Sequence, residues 1–206
     1  MTIEEIMAVP TVLPKEQLDR DVWDDENRVA YSEDGRYLTD AENFPEEITV
    51  REGCEVISDD VFAFQDYMAG RKIGEEIPLE ERSSYLEKIH LPNSVTHIGD
   101  AAFAECGELI SIKLPTGLLK IGQSAFMDCW QLEKISLPAK TRIIGPQAFQ
   151  GCINMVQVRL NKALEVIGED AFDDCESLET ILIPRGMQEH FKQLLPQKFH
   201  KLLEEL

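Results

Sequence analysis

The chain has 206 residues, and 43% of them are apolar, which is enough to build an ordinary folded core. Its 39 Asp and Glu residues outnumber its 20 Lys and Arg residues, and the formal net charge is −19. This balance argues against a general affinity for nucleic acid or anionic membranes, and it favours solubility and basic partners.

The N-terminal sequence and the cysteine content indicate a cytoplasmic protein. The opening stretch, "MTIEEIMAVPTVLPKEQLDRDVWDD", lacks the basic segment and the apolar segment of a signal peptide. No later run approaches the roughly 18 apolar residues of a membrane span. The five cysteines are an odd number for a disulfide framework and show no CxxC zinc spacing, so we expect reduced thiols.

Residues 1–44 are predicted to form an N-terminal cap that contains a β-hairpin. In the stretch "VAYSEDGRYLTD", Asp34 and Gly35 lie between two short runs of alternating apolar and polar residues. An Asp-Gly pair in this setting is typical of a tight hairpin turn. We expect this hairpin to cover the first unit of the array that follows.

Residues 45–64 are a degenerate copy of a unit that becomes regular later in the chain. The copy, "EITVREGCEVISDDVFAF", matches the first regular unit at three positions: Val50 with Leu91, Ile57 with Ile98, and Phe62 with Phe103. Residues 65–85 then add 18 residues beyond the repeat length, are rich in charge and are interrupted by two glycines and a proline. This segment is predicted to be an insertion loop on one face of the array.

Residues 86–184 repeat with a period of 23 residues, which indicates a stacked array. The recurring positions are Gly99, Gly122, Gly145 and Gly168; Phe103, Phe126, Phe149 and Phe172; and Cys106, Cys129, Cys152 and Cys175. Each unit begins with L-x-x-I-x-L, whose alternation is typical of a strand, and a proline usually ends that strand. One unit cannot bury its own apolar face, whereas stacked units form a parallel ladder with about 4.8 Å between strands.

The full pattern, L-x-x-I-x-L-P-x-x-x-x-x-I-G-x-x-A-F-x-x-C, resembles the BspA-type leucine-rich repeat family. The stretch "LEKIHLPNSVTHIGDAAFAEC" is close to a consensus copy of that repeat. The resemblance implies a β-rich α/β solenoid, a right-handed leucine-rich repeat superhelix of about five repeats. It also implies protein recognition, and in secreted members of the family adhesion to host proteins or surfaces.

Residues 185–206 are predicted to form a C-terminal helical cap. The stretch "MQEHFKQLLPQKFHKLLEEL" has apolar residues at helical spacing, and Pro196 interrupts it once. We expect one helix or a pair of short helices to close the end of the array.

No catalytic residue, metal ligand or cofactor is predicted. The cysteines recur along a line, whereas metal ligands must converge on a point, so we interpret them as a buried packing column. None of the four histidines has a partner at the spacing of a nucleophile elbow or a zinc-binding helix. Triads assemble from distant residues, so spacing alone does not exclude one.

The candidate binding residues lie on the outward positions of the predicted strands, on either side of the central Ile. These positions hold Lys88, Ser111, Lys134, Gln157 and Thr180 before it, and His90, Lys113, Ser136, Arg159 and Leu182 after it. Four of the ten are Lys or Arg and none is acidic, so the local charge opposes that of the whole chain. The face is either a solvated surface whose lysines pair with nearby glutamates or a surface that meets an acidic partner.

A second candidate patch follows the cysteine column. The position after each cysteine holds Gly107, Trp130, Ile153 and Glu176. Nothing in the repeat requires an apolar residue there, so Trp130 beside Ile153 either forms an exposed patch or folds onto the adjacent turn.

These observations predict a non-enzymatic interaction module that binds a protein partner through the strand face. The predicted partner-binding residues are Lys88, His90, Lys113, Lys134, Arg159, Trp130 and Ile153. An alternative is an acidic inhibitor or immunity-type protein that neutralises a basic toxin or nuclease. We expect a monomer, whose exposed edge strand could allow end-to-end association.

Overall fold

The computed structural model describes residues 1–42, 44–63 and 85–206. The predicted insertion 65–85 lies outside the described residues, apart from Tyr85.

The N-terminal region forms two short helices and three antiparallel strands. They are α1 (Ile3–Met7), α2 (Lys15–Leu18), β1 (Val22–Asp24), β2 (Val29–Tyr31) and β3 (Tyr37–Ala41). Gly35 has φ +74°, and the Asp34 carboxylate accepts hydrogen bonds from the Ser32 hydroxyl and the Arg36 backbone N–H. The predicted hairpin is therefore confirmed, with its turn at the Asp-Gly pair.

The repeats contribute short strands to two sides of a coil. The L-x-x-I-x-L segments form β4 (Glu47–Thr49), β6 (Lys88–His90), β9 (Lys134–Ser136), β11 (Gln157–Arg159) and β13 (Thr180–Ile183). The Ile-Gly segments form β5 (Val56–Ile57), β7 (His97–Ile98), β8 (Lys120–Ile121), β10 (Ile143–Ile144) and β12 (Val166–Ile167). Prolines and glycines keep the strands short, since each strand ends where the chain must turn.

Strand pairing follows the repeat. An eight-stranded sheet has the order β1-β2-β3-β5-β7-β8-β10-β12 and is parallel from β3 onward. On the other side, β4 pairs with β6, and β9, β11 and β13 pair in parallel. The molecule is a β-solenoid of about six turns rather than the five predicted, because β3 of the cap adds a parallel strand beside β5.

The alignment of the degenerate first copy is confirmed by the register. Ile57 pairs with Ile98 between β5 and β7, and Ile48 pairs with Ile89 between β4 and β6. The units on either side of the undescribed residues 64–84 therefore pair with each other in the register that the alignment predicts.

One predicted strand is absent. The segment "LISIKL", residues 109–114, has the sequence pattern of its neighbours but forms no strand. Leu109 and Leu114 are still buried, but the central Ile112 is only half-buried, so the unit keeps its outer inward residues while losing regular pairing. In the turn that follows, the Asn93 side chain accepts hydrogen bonds from the backbone N–H and hydroxyl of Thr116, so a side chain links these two turns.

Phenylalanine and cysteine columns fill the core between the sheets. Five rings stack with centroids 5.1 to 5.6 Å apart and interplanar angles of 1 to 13°: Phe62, Phe103, Phe126, Phe149 and Phe172. Phe44 and Phe199 close the two ends of the column edge-on. Each cysteine of the repeats donates its S–H to the Phe carbonyl of the preceding turn, as Cys129 does to Phe103 at 3.1 Å.

The C-terminal segment closes the coil with α3 (Gln188–Leu194), a 3-10 helix (Gln197–Leu202) and β14 (Leu203–Glu205). The predicted helical cap is confirmed, and Pro196 separates its two helices as expected. β14 was not predicted, and it pairs in parallel with β13. Among the described helices, none has the length and apolar character that crossing a membrane requires.

Candidate functional site

The L-x-x-I-x-L strands present a row of exposed side chains that we call the strand face. In β6, β9 and β11 the central residue is buried and the last residue is exposed, as period-two alternation requires. Every predicted basic or histidine candidate is exposed to solvent. Lys88, His90, Lys134 and Arg159 lie on these strands, and Lys113 lies in the segment 109–114, which continues the row with the same pattern but without a strand. The residues directly before and directly after the central residue of each L-x-x-I-x-L segment form two columns on this face.

The first turn places an acid next to two of these candidates. Glu47 of β4 lies in register with Lys88, and Thr49 lies in register with His90. The Glu47 carboxylate is 2.9 Å from the His90 Nε2 and 3.8 Å from the Lys88 Nζ. The hydrogen bond from His90 and then the charge of Lys88 lower the pKa of Glu47. This end of the strand face is therefore neutralised within the molecule.

The remaining three cations have no such partner. Across residues 1–42, 44–63 and 85–206, no ion pair involves Lys113, Lys134 or Arg159. Lys134 and Arg159 lie on adjacent strands, where Lys134 is in register with Gln157 and Arg159 with Ser136. Three successive turns thus carry one unpaired cation each on the same face.

Apolar side chains accompany these cations. Ile110 is 53% exposed and was missed by the sequence analysis, although it occupies the outward position held by Glu133 in the next unit. Ile153 is 41% exposed, whereas Trp130 is half-buried. The Asn154 N–H donates to the Trp130 carbonyl, so Trp130 and Ile153 lie on consecutive turns.

The acidic loops of the repeat have structural roles that limit their use as a binding surface. The carboxylate of Asp59 accepts the Asp100 backbone N–H at 2.7 Å, and that of Asp100 accepts the Gln123 N–H at 2.8 Å. Asp128 has φ +57°, and burial followed by the charge of Asp174 raises its pKa. Several carboxylates thus connect one turn to the next.

The cysteine column packs in the core and donates hydrogen bonds to backbone carbonyls. Burial raises the pKa of Cys129 and Cys152 well above the ordinary value, which makes their thiolates scarce at neutral pH. The half-buried Cys175 has its pKa raised to about 12, chiefly by burial. Within the described part of the chain, no group of three His, Cys, Asp or Glu side chains could hold a metal ion.

Solved structures with this architecture come from several bacteria. A leucine rich cell surface protein from Faecalibacterium prausnitzii aligns with a TM-score of 0.68 and 22% identity over 85% of this chain and 42% of its own. The T. pallidum leucine rich repeat protein gives 0.61 and 24% identity over 83% and 71%. The pneumococcal vaccine antigen PcpA gives 0.59 and 21% over 75% and 35%. These likenesses establish the fold.

This chain spans less than half the length of the Faecalibacterium and pneumococcal proteins. No curated protein matches the sequence. The family model for the BspA type leucine rich repeat region matches residues 81–195 with 6 copies, which is more than half of the 206 residues. The chain therefore belongs to the BspA-type leucine-rich repeat family.

Proposed function

We propose that the protein is a non-enzymatic interaction module that binds an acidic segment of a protein partner through the strand face. The observation that supports this most directly is the run of three exposed, unpaired cations at Lys113, Lys134 and Arg159 on successive turns. An extended solenoid face suits a partner that contacts several turns at once.

The site is cationic within a chain of net charge −19. At physiological ionic strength the Debye length is about 8 Å. The electrostatic interaction of a partner with the strand face is therefore set by the charges nearest to it rather than by the net charge of the chain. Desolvated contacts with Ile110 and Ile153 would add affinity that salt does not screen. Long-range repulsion would slow association with an acidic partner, and it would select against partners that are acidic everywhere.

The test compares the wild-type protein with the double variant Lys113→Glu/Arg159→Glu. Both proteins are used to capture partners from native cell extract at about physiological salt, and the captured proteins are then purified and titrated individually. A partner of the strand face is expected to lose at least about tenfold in affinity, since two favourable charge contacts become repulsive.

The matched control is Lys140→Glu/Lys162→Glu, which changes the net charge equally at two exposed lysines outside the strand face. This control is expected to bind the partner like the wild type. If the two double variants lose affinity equally, the effect is one of net charge and the strand-face proposal is wrong.

The alternative is an acidic inhibitor of a basic toxin or nuclease. The exposed carboxylates of Asp100, Asp170 and Asp174 on the loop side support it. A basic protein that binds Lys113→Glu/Arg159→Glu as tightly as the wild type would favour this alternative.

We also propose that the chain divides into an N-terminal cap (1–44), a solenoid (45–184) and a C-terminal cap (185–206). The antiparallel β1–β3 unit and the α3 segment support these divisions.

The free cysteines support a reducing compartment such as the cytoplasm, which cell fractionation followed by immunoblotting would test.

A further inference from the structure

Among the described strands, β1 of the N-terminal cap lies at one edge of the eight-stranded sheet. Its one partner there is β2, with Trp23 in register with Ala30. On the other side of β2, the Glu42 N–H donates to the Arg28 carbonyl, so Arg28 and Glu42 are a hydrogen-bonded pair. Hydrogen-bonded pairs recur at every second residue of an antiparallel ladder, so the N–H and C=O of Ala30 also point toward β3. They therefore do not bond to β1, and the N–H and C=O of Trp23, opposite Ala30, point away from β2 to the free edge.

An apolar row of the core also ends at this strand. The residues in register across the sheet are Val22, Tyr31, Leu38, Ile57, Ile98, Ile121, Ile144 and Ile167. Tyr31 and Leu38 are fully buried, whereas Val22 is 50% exposed and its neighbour Trp23 is 44% exposed. The row therefore meets solvent at β1, with an apolar side chain and an unpaired backbone edge at the same place.

The opposite end of the same sheet differs. There the edge strand is β12, and the C-terminal cap lies close to it, since the His190 ring Nε2 donates to the Leu164 carbonyl at 2.9 Å. No comparable contact with a described residue lies beyond β1. One end of the apolar row is thus capped by the chain itself and the other is open.

Acidic residues flank the open strand. Asp19, Asp25 and Glu26 are exposed, and no ion pair within the described ranges involves them. The nearest cations in sequence are Arg20, which lies 3.7 Å from Glu33, and Arg28, whose Nε donates to the Glu42 carbonyl. The free edge therefore combines apolar surface with unneutralised negative charge.

This charge argues against a second copy of the chain as the occupant. Antiparallel pairing of two β1 strands about Trp23 would set Asp21 of each copy opposite Asp25 of the other. Like charges directly opposite across a strand pair are destabilising. The edge is protected against self-pairing but remains open to a strand of opposite charge.

We propose that β1 is a docking edge for an extended basic segment of a partner protein, which adds a ninth strand to the sheet. Main-chain hydrogen bonds to Trp23 would hold the segment, and an apolar side chain would continue the row beyond Val22. Lys or Arg residues on either side of that side chain would meet Asp19, Asp25 and Glu26. β1 belongs to the eight-stranded sheet, whereas the strand face is carried by the strands on the other side of the coil.

The proposal is tested with a synthetic peptide of alternating lysine and valine as the probe. Its binding is measured by isothermal titration and by the change in Trp23 fluorescence in a Trp130→Phe background. A second peptide carries the same side chains with N-methyl groups on alternate amides, which blocks the ladder but keeps the charge. We expect the methylated peptide to bind at least about tenfold more weakly.

Two charge variants locate the site. Asp25→Lys/Glu26→Lys is expected to weaken binding of the unmethylated peptide about tenfold or more, whereas Glu169→Lys/Asp170→Lys, near the far end of the coil, is expected to leave it unchanged. Equal affinity for both peptides would mean attraction by charge alone and would overturn the proposal. A concentration-dependent dimer that Asp25→Lys/Glu26→Lys alters would instead assign the edge to self-association.

Discussion

His97 connects the N-terminal helix to the solenoid. Its ring is only 1% exposed, and its Nε2 donates a hydrogen bond to the Ile6 carbonyl at 3.1 Å. Its Nδ1 lies 2.8 Å from the Thr96 hydroxyl, so the neutral ring accepts a hydrogen bond there. Burial first, and the charge of Lys120 second, lower the pKa of His97 below 6.5, while the Ile6 bond opposes them. Burial of the ring thus favours an uncharged imidazole, against the effect of the hydrogen bond to Ile6 of α1.

This environment predicts that stability falls on mild acidification. Because the pKa of His97 is lower in the folded than in the unfolded chain, the stabilisation is complete above the unfolded value of 6.5 and is lost as pH falls toward the folded pKa. Urea unfolding between pH 5.5 and 7.5 should show a smaller loss for His97→Gln than for the wild type. The raised carboxyl pKa values of Asp60 and Asp128 act in the opposite direction in both proteins and cancel in the comparison.

The repeat glycines are required by close packing of the backbone between turns. A Cβ added to Gly122 would lie 2.5 Å from the carbonyl carbon and oxygen of Gly99, and Gly145 meets Gly122 in the same way. Real Cβ atoms do not approach backbone atoms so closely, so the turns would have to separate.

We therefore expect Gly122→Ala to destabilise the protein by about 1–3 kcal/mol. The control Gly53→Ala adds a methyl group with no atom within 4 Å, and its penalty arises only from the left-handed backbone at φ +90°. Thermal unfolding should give a larger loss for Gly122→Ala. Equal losses for the two variants would show that glycine stacking is unimportant.

At the scale of elements, the phenylalanine column is a continuous contact between successive turns. Phe126 stacks on Phe103 and Phe149 at 5.1 and 5.3 Å, whereas Phe44 makes a single edge-on contact with Phe62. Aromatic pairs contribute about 0.5–1.5 kcal/mol each beyond the area that they bury.

Phe126→Leu should accordingly cost about 1–3 kcal/mol in urea unfolding, because two stacked pairs are lost while most of the apolar volume stays. Phe44→Leu, at the end of the column, should cost less. A lower m-value in Phe126→Leu would indicate that the array separates into two unfolding units at this turn, since m follows the surface exposed on unfolding.

The sequence predicted these elements unevenly, for physical reasons. Fixed columns of Phe, Gly and Cys predicted the register of the repeats. The Asp-Gly pair predicted the hairpin, and apolar residues at helical spacing predicted the helical cap. The strand β14 was missed because its pairing with β13 depends on where the cap returns the chain. The loss of the strand at 109–114 was missed because its residues match the pattern: Ile110 has a counterpart in Val156, whose unit does form a strand.

The sequence predicted that the candidate residues are exposed, and it did not predict how their charges are paired. Period-two alternation alone places the lysines outward, whereas the pairing of Glu47 with His90 and Lys88 requires the register across the insertion. The three remaining cations could be distinguished only once that register was known.

At the scale of the whole molecule, the negative charge opposes folding through self-repulsion. The chain carries a net charge of −19 on 206 residues, and the apolar packing of its stacked core opposes the resulting repulsion. Salt does not screen apolar packing, but it does screen the repulsion between loop carboxylates. Raising ionic strength should therefore stabilise the native state. The few exposed ion pairs, such as Lys192 with Glu189, weaken with salt but contribute little.

Thermal unfolding should show this directly. Between 0.01 M and 0.1 M NaCl the Debye length falls from about 30 to about 10 Å, and we expect the melting temperature to rise, by about 2–4 °C for each kcal/mol of repulsion removed. The variant Asp170→Lys/Asp174→Lys reduces the negative charge at one end and should respond less to salt. A melting temperature that fell with salt would mean that ion pairs outweigh repulsion. In that case most acidic side chains would be balanced by nearby cations in the folded protein. The carboxylates around β1, which form no ion pair with a described residue, would then remain available to a basic partner.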